Sequence, residues 1–366
     1  MIFSRSMEPS PPPLPRRPVR IVDMARELAL SPSAVSQALR SKPGPYTRVS
    51  PETVVRVRAL ADAWGYRPNS SARVMKGRAL QQAGFLVAYN QDRHMPWVEF
   101  PGILGISDHL TAHGWNLHIV PRNSVSENSI PPSLREQSLD GLIVSASGDD
   151  APLLAELAKY RIPCVLLNGD APVNTIVLND KAGAAMATRH LLELGHRHIL
   201  YVGAARGHHP SVSAREAGYS AAMAEAGFAP HVWNYPTRFP EMDTPEIVRH
   251  EGHIRLRHEF YTECYLKHRP TGIVFYSDLD AMRASQVLQE HGVRIPGDVS
   301  IVGYDSLPFA DLHSPSLTTI RSDFYAMGVA AADMLLRLIQ EPETPIPSVW
   351  VDPTMVVRRS AAAPAA

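Results

Sequence analysis

Ser33, Ser36, Gln37 and Arg40 recur at helical spacing, and their polar side chains are of the kind that base edges in a DNA major groove can use. A second polar set, Asn90, Ser145, Asn168, Ser277, Asp278 and Asp305, stands at the ends of apolar runs. In an open α/β sheet ligands gather at those ends, so this set suits a small polar molecule. The chain thus carries two chemistries, one for reading nucleic acid and one for holding a solute.

The first set needs a helix braced by partners. Ile21, Met24, Ala25 and Leu28 share one face of a first helix. Ser31 and Pro32 then supply an N-cap and a first-turn proline for a second, which turns Val35, Ala38 and Leu39 inward. A third begins at Ser50 and Pro51, repeats Val54, Val57, Ala61 and Trp64, and stops at Gly65 ahead of Pro68. The second set needs strands. Apolar runs at Gly84–Ala88, Leu117–Val120, Gly141–Ser145, Cys164–Leu167, Thr175–Leu178, Ile199–Val202, Gly272–Tyr276 and Val299–Tyr304 alternate with helical stretches. That alternation is the pattern of a parallel α/β sheet.

Charge separates the same two regions. The net charge is zero, yet residues 1–80 hold 14 Lys and Arg against 5 Asp and Glu, and the rest of the chain holds 22 against 31. One end is built to meet an anion. Residues 1–18, with PPPLPRRP, suit a disordered tail. With no apolar run of about 18 residues and no apolar core of a secretory signal, the expectation is a cytoplasmic protein without membrane insertion.

Other chemistries lack their signatures. Cys164 and Cys264 have no CxxC spacing, and the histidines around His208, His209, His250, His253 and His258 lack HExxH, so no metal is expected. No GxGxxG, GxxxxGK[ST] or GxSxG follows a strand, so neither a catalytic site nor a cofactor is expected.

The stretches VRIVDMARELALSPSAVSQALRSKPG and VSPETVVRVRALADAWGYRPNSSARVMKG resemble the headpiece and hinge of the lactose-repressor (LacI/GalR) family. Further marks are HLLELGHRHILYVG at 190–203, the Ser213, Arg215 and Gly218–Tyr219 pattern, YSDLDAM at 276–282, and IPGDVSIVGYDSLPFADLHSPSLTTI at 295–320. The resemblance implies a helix-turn-helix domain at 19–67, a hinge helix at 68–80 and a two-lobed α/β core of the periplasmic-binding-protein type at 81–360, followed by a tail at 361–366. Lobe 1 would comprise about 81–178 and 321–345 and lobe 2 about 179–320 and 346–360, with crossings near Leu178, Thr319 and Pro345. It further implies a homodimeric repressor on palindromic operator DNA, controlled by a sugar-like effector between the lobes.

Residue by residue, the resemblance assigns DNA contact to Ser31, Ser33, Ala34, Ser36, Gln37 and Arg40, and to Asn69, Arg73, Met75 and Lys76 of the hinge, with Met75 as the minor-groove wedge. Gln37 stands where an arginine is usual and pairs naturally with adenine, so the half-site should differ. Pro32, the loop residues 45–48 and Arg20 also depart from the family pattern. The effector set is Arg215, whose fork of donors can take two hydroxyls or a carboxylate, with Asp278, Asp305, Ser277, Ser145, Asn168, Ser322 and Phe239. A solute-binding transport component would share this fold, but it would need no basic three-helix end.

Overall fold

The computed structural model describes residues 19–39, 49–66, 80–88, 96–122, 138–148, 150–203, 209–234 and 258–365. Arg40, Asn69, Arg73, Met75, Lys76, Asn90 and Phe239 lie outside them. The chain divides into two compact units, Met1–Arg78 and Ala79–Ala366.

In the first unit the three expected helices form as α1 (Ile21–Glu27), α2 (Pro32–Ala38) and α3 (Pro51–Ala63). The Oγ atoms of Ser31 and Ser50 accept from Ala34 N and Thr53 N at 3.1 and 3.3 Å, which satisfies one orphan donor at each helix start. At α1 the N-cap residue is Arg20, whose side chain has no acceptor to offer; Asp23 instead takes the Arg20 backbone N–H at 3.0 Å. Gly65 follows the end of α3 in the left-handed region at φ 60°. Met24, Ala25, Val35, Ala38 and Val57 are buried together, with Leu28, Val54, Ala61 and Trp64 packed around them.

The second unit holds two six-stranded sheets. One contains β1 (Gln82–Ala88), β2 (Asn116–Arg122), β3 (Gly141–Ser145), β4 (Cys164–Leu167), β5 (Thr175–Leu178) and β11 (Val349–Val351), in the order β11-β5-β4-β3-β1-β2. The other contains β6 (Ile199–Gly203), β7 (His231–Asn234), β8 (Gly272–Phe275), β9 (Ser300–Asp305), β10 (Thr318–Arg321) and β12 (Thr354–Val356), in the order β12-β10-β9-β8-β6-β7. Among the described residues every pairing between these strands is parallel except β10 with β12. Helices α4 (Pro96–Ala112), α5 (Ala151–Lys159) and α9 (Phe324–Gln340) cover the first sheet; α6 (Asp180–Glu193), α7 (Pro210–Glu225) and α8 (Asp278–Glu290) cover the second.

Strand periodicity accounts for the double cover. On the first sheet Leu86, Leu142, Val144 and Leu166 face Leu153 and Leu157 of α5, while Phe85, Ile143 and Val165 turn to the core shared with α4 and α9. Each such aliphatic side chain, fully withdrawn from water, contributes roughly 1.5–3 kcal/mol. Among the described residues no helix is long and apolar enough to cross a membrane.

Four short edge or next-to-edge strands, β7, β10, β11 and β12, are additional to the eight apolar runs. Because β11 pairs with β5, residues 349–351 stay in the first lobe and the last crossing falls at Asp352–Pro353, not near Pro345. Likewise β10 keeps residues 318–321 in the second sheet, so that crossing falls at Ser322–Asp323. All three crossings leave strand carboxyl ends, which turns those ends of the two sheets toward one another.

Candidate functional site

Helix α2 positions the first set. Val35 and Ala38 are buried, Ser33 is exposed, and Ala34, Ser36 and Gln37 are half-exposed, so one face packs and the other is left uncovered within this unit. Ser31 is exposed, although one lone pair of its hydroxyl serves the helix cap.

Of the second set, Asp305 meets Arg215, which lies one turn and a half into α7 and is only 4% exposed. Its Nε donates to Asp180 Oδ1 at 2.6 Å, one Nη to the Tyr276 carbonyl at 2.6 Å, and the other Nη to Asp305 Oδ1 at 3.3 Å. The Tyr304 ring covers the guanidinium, with its centroid 3.6 Å from Cζ, and the Tyr276 ring lies at 4.6 Å. Burial works against the Arg215 charge, but the two carboxylates outweigh it and keep the guanidinium protonated. Four segments meet there: the start of α6, the helix α7, and the carboxyl ends of β8 and β9.

Asp278 and Asp305 differ in what they do. Asp278 is fully buried, and its oxygens accept from Thr319 Oγ1 at 2.5 Å and Leu307 N at 2.7 Å. It pins the turn after β9, where Asp305 and Ser306 take φ of 103° and 53°, a costly conformation for residues with a Cβ. That turn aims Asp305 at Arg215. Burial first, and then the other's negative charge, raises Asp278 to about 7; burial raises Asp305 to about 7 as well, with Asp180 adding to it and Arg215 opposing.

The remaining expected residues separate into two groups. Ser277 caps α8: its Oγ accepts from Asp280 N at 3.2 Å and donates to Asp280 Oδ2 at 2.7 Å. Ser322 is buried at the crossing after β10, and among the described residues its Oγ has no hydrogen-bond partner. On the first lobe Ser145 is half-buried at the end of β3, and Asn168, at φ 58°, accepts from Leu178 N at 3.4 Å. The structure gathers Arg215 and Asp305 directly, with Asp278 behind them, and leaves Ser145 and Asn168 on the other sheet.

Sequence reasoning missed Asp180, Tyr276, Tyr304 and Ser211. Ser211 Oγ lies 2.7 Å from both Tyr276 Oη and His209 Nδ1, and the Ser211 backbone N–H also donates to that nitrogen at 3.2 Å. Burial lowers the His209 pKa, in keeping with a ring whose Nδ1 must accept. The strand-end rule reaches Asp180, two residues beyond β5; nothing in apolar patterning distinguishes Tyr304 from a core residue. Among the described residues no group of three potential metal ligands assembles.

Residues 188–361 match the periplasmic binding protein-like domain. The chain is 30% identical over 352 residues to the HTH-type transcriptional repressor PurR of Escherichia coli O139:H28 (strain E24377A / ETEC), covering 93% of this chain and 96% of the relative. Its fold is similar to that of the lac repressor dimer bound to operator and the anti-inducer ONPF, with TM-score 0.78, 23% identity, and 95% and 100% of the two chains covered. It is similar also to the transcriptional regulator CelR–cellobiose complex, with TM-score 0.65, 22% identity and 94% and 100% covered.

Proposed function

The chain belongs to the LacI/GalR family, and from that premise we infer how its parts divide the work of a DNA-binding transcription repressor controlled by a small-molecule effector. Helix α2 enters the major groove, with Ser33, Ser36 and Gln37 toward base edges and Ser31, Ala34 and Arg40 beside them. Asn69, Arg73, Met75 and Lys76 supply the hinge contacts to the minor groove and its phosphates. Two copies form a homodimer that straddles a near-palindromic operator in the cytoplasm. No catalytic role is proposed.

The effector, a sugar or a molecule of similar polarity, sits between the strand carboxyl ends of the two lobes. Arg215 and Asp305 are its anchors on the second lobe, Ser322 stands at the crossing, and Ser145, Asn168 and Phe239 complete the set. Asp278 and Ser277 act by holding the Asp305 turn and the start of α8. The observation that carries this reading is the Arg215 centre, where a buried, charged donor fork and polar strand ends converge at a junction between lobes. Effector binding changes the lobe arrangement and thereby operator affinity.

Sequencing the genomic fragments captured by the purified full chain at near-physiological salt tests the DNA reading. A two-fold symmetric motif is the expected result. Salt-sensitive binding without any motif would contradict it.

A further inference from the structure

On the first lobe a pocket of about 500 Å³ opens at the amino ends of β4 and β5, away from the carboxyl ends that face the other sheet. Helix α5, the segment 171–175 and the residues that follow α9 enclose it. Leu154, Leu157, Ile162, Leu166 and Leu338 line it, and Leu157, Leu166 and Leu338 are buried. Side-chain layers are ordinarily close-packed, so an apolar hollow of this size, with a few polar groups on its wall, has the form of a small-molecule site. Burial pushes the Cys164 thiol, also in the wall, up to about 12, so it presents a neutral surface.

The polar groups of the wall are unmatched. Arg161 and Glu343 carry opposite charges on the same pocket, yet among the described residues neither side chain makes an ion pair or a hydrogen bond, with the other or with any third group. Asn174 Oδ1 accepts from Ile346 N at 2.8 Å, while its Nδ2 has no partner among the described residues. Arg161 is also held at φ 54°, just past the end of α5, in the left-handed region where glycine is cheaper. The position thus carries a guanidinium at a conformational cost. Two opposite charges that share a pocket without touching leave room between them for a molecule that bears both signs.

We propose that this pocket binds a small zwitterion with an apolar body, an apolar α-amino acid: Arg161 takes its carboxylate, Glu343 its ammonium group, and the leucine-lined wall its side chain. Asn174 Nδ2 offers the carboxylate a second donor. A cation or an anion of the same shape leaves one of the two wall charges unmatched, so the pocket discriminates by charge as well as by size. Glu343 lies in the connection from α9 to β11, and β11 leads to the crossing at Asp352–Pro353. The guest therefore touches the segment that feeds the last link between the lobes.

Calorimetric titration of the full chain with L-phenylalanine, 3-phenylpropionate and 2-phenylethylamine tests the proposal, because the two analogues keep the apolar body and each lacks one charged group. Phenylalanine should bind at one site, and each analogue at least about tenfold more weakly, as loss of a charge-assisted contact should bring. Arg161→Gln should weaken phenylalanine and phenylpropionate about tenfold and leave phenylethylamine within about twofold; Glu343→Gln should weaken phenylalanine and phenylethylamine and spare phenylpropionate. Ala158→Trp, at an exposed lining position, fills the pocket and should abolish binding of all three. Arg161 and Glu343 are exposed as well, so the variants keep the fold. Absence of saturable phenylalanine binding in the wild type overturns the proposal. So do analogues that bind as tightly as phenylalanine, or variants that lose nothing. The titration involves no DNA, and a failed DNA capture would leave its result standing.

Discussion

The two lobes share one architecture and differ in where their polar groups are buried. Numbered from each lobe's own start, the first five strands follow the same order in both sheets, and each sheet gains one late strand at its edge. Both lobes seat a helix pair by glycine: a Cβ on Gly105 would lie 2.2 Å from the Tyr325 carbonyl oxygen, and one on Gly218 would lie 2.1 Å from the Lys181 carbonyl oxygen. Yet at the strand ends the first lobe offers half-buried Ser145 and Asn168, whereas the second encloses Asp180, Arg215, Asp278 and Asp305. On the proposed reading, the same scaffold serves one lobe as a pre-organised anchor and the other as a lighter facing wall.

Substitutions can break that comparison. The largest effect is expected from Arg215→Met, which strands two buried carboxylates and should cost about 3–5 kcal/mol in urea unfolding; a cost no larger than that of a surface change would mean the cluster is not an energetic unit. Gly105→Ala and Gly218→Ala should each cost about 2 kcal/mol, because either methyl must displace backbone. Similar values would confirm the shared architecture, and a large inequality would break it.

A smaller effect separates the lobes by pH. Asp305 sits at about 7 when folded against 3.8 unfolded, so its contribution to stability is present below about pH 4 and is lost as pH rises toward about 7. Asp305→Asn should therefore flatten that decline in unfolding measured across the interval. His190, His196 and His209, lowered by burial, act in the opposite sense but are common to both proteins and cancel in the difference. Asp278, raised by burial and then by the Asp305 charge, falls with the substitution and adds to the flattening. Smallest of all, Ser145→Ala should change stability by less than about 0.5 kcal/mol.

Legibility in the sequence followed the strength of local signals. Ser31–Pro32 and Ser50–Pro51 are cap and first-turn pairs, and α2 and α3 begin there. The runs 141–145, 164–167 and 175–178 coincide with β3, β4 and β5, because a strand buried on both faces is a continuous apolar run with polar ends. Edge strands of three or four residues give no such run, and β11, between Pro347 and Pro353, resembles a loop. Arg215 and Asp305 were visible as residue types in place; that they bind each other was not, since the contact joins positions 90 apart and depends on Asp180 entering from a third segment.

The central claim is that a molecule held at the Arg215 centre governs the DNA grip of the three-helix unit. Its most direct test is the affinity of the full chain for a captured operator fragment, with and without the small molecule handled by the neighbouring genes, for the wild type and Asp305→Asn. The account predicts a shift of at least about fivefold in the wild type. In Asp305→Asn it predicts an unchanged ligand-free affinity and no shift. A variant whose shift equals the wild-type one would contradict it.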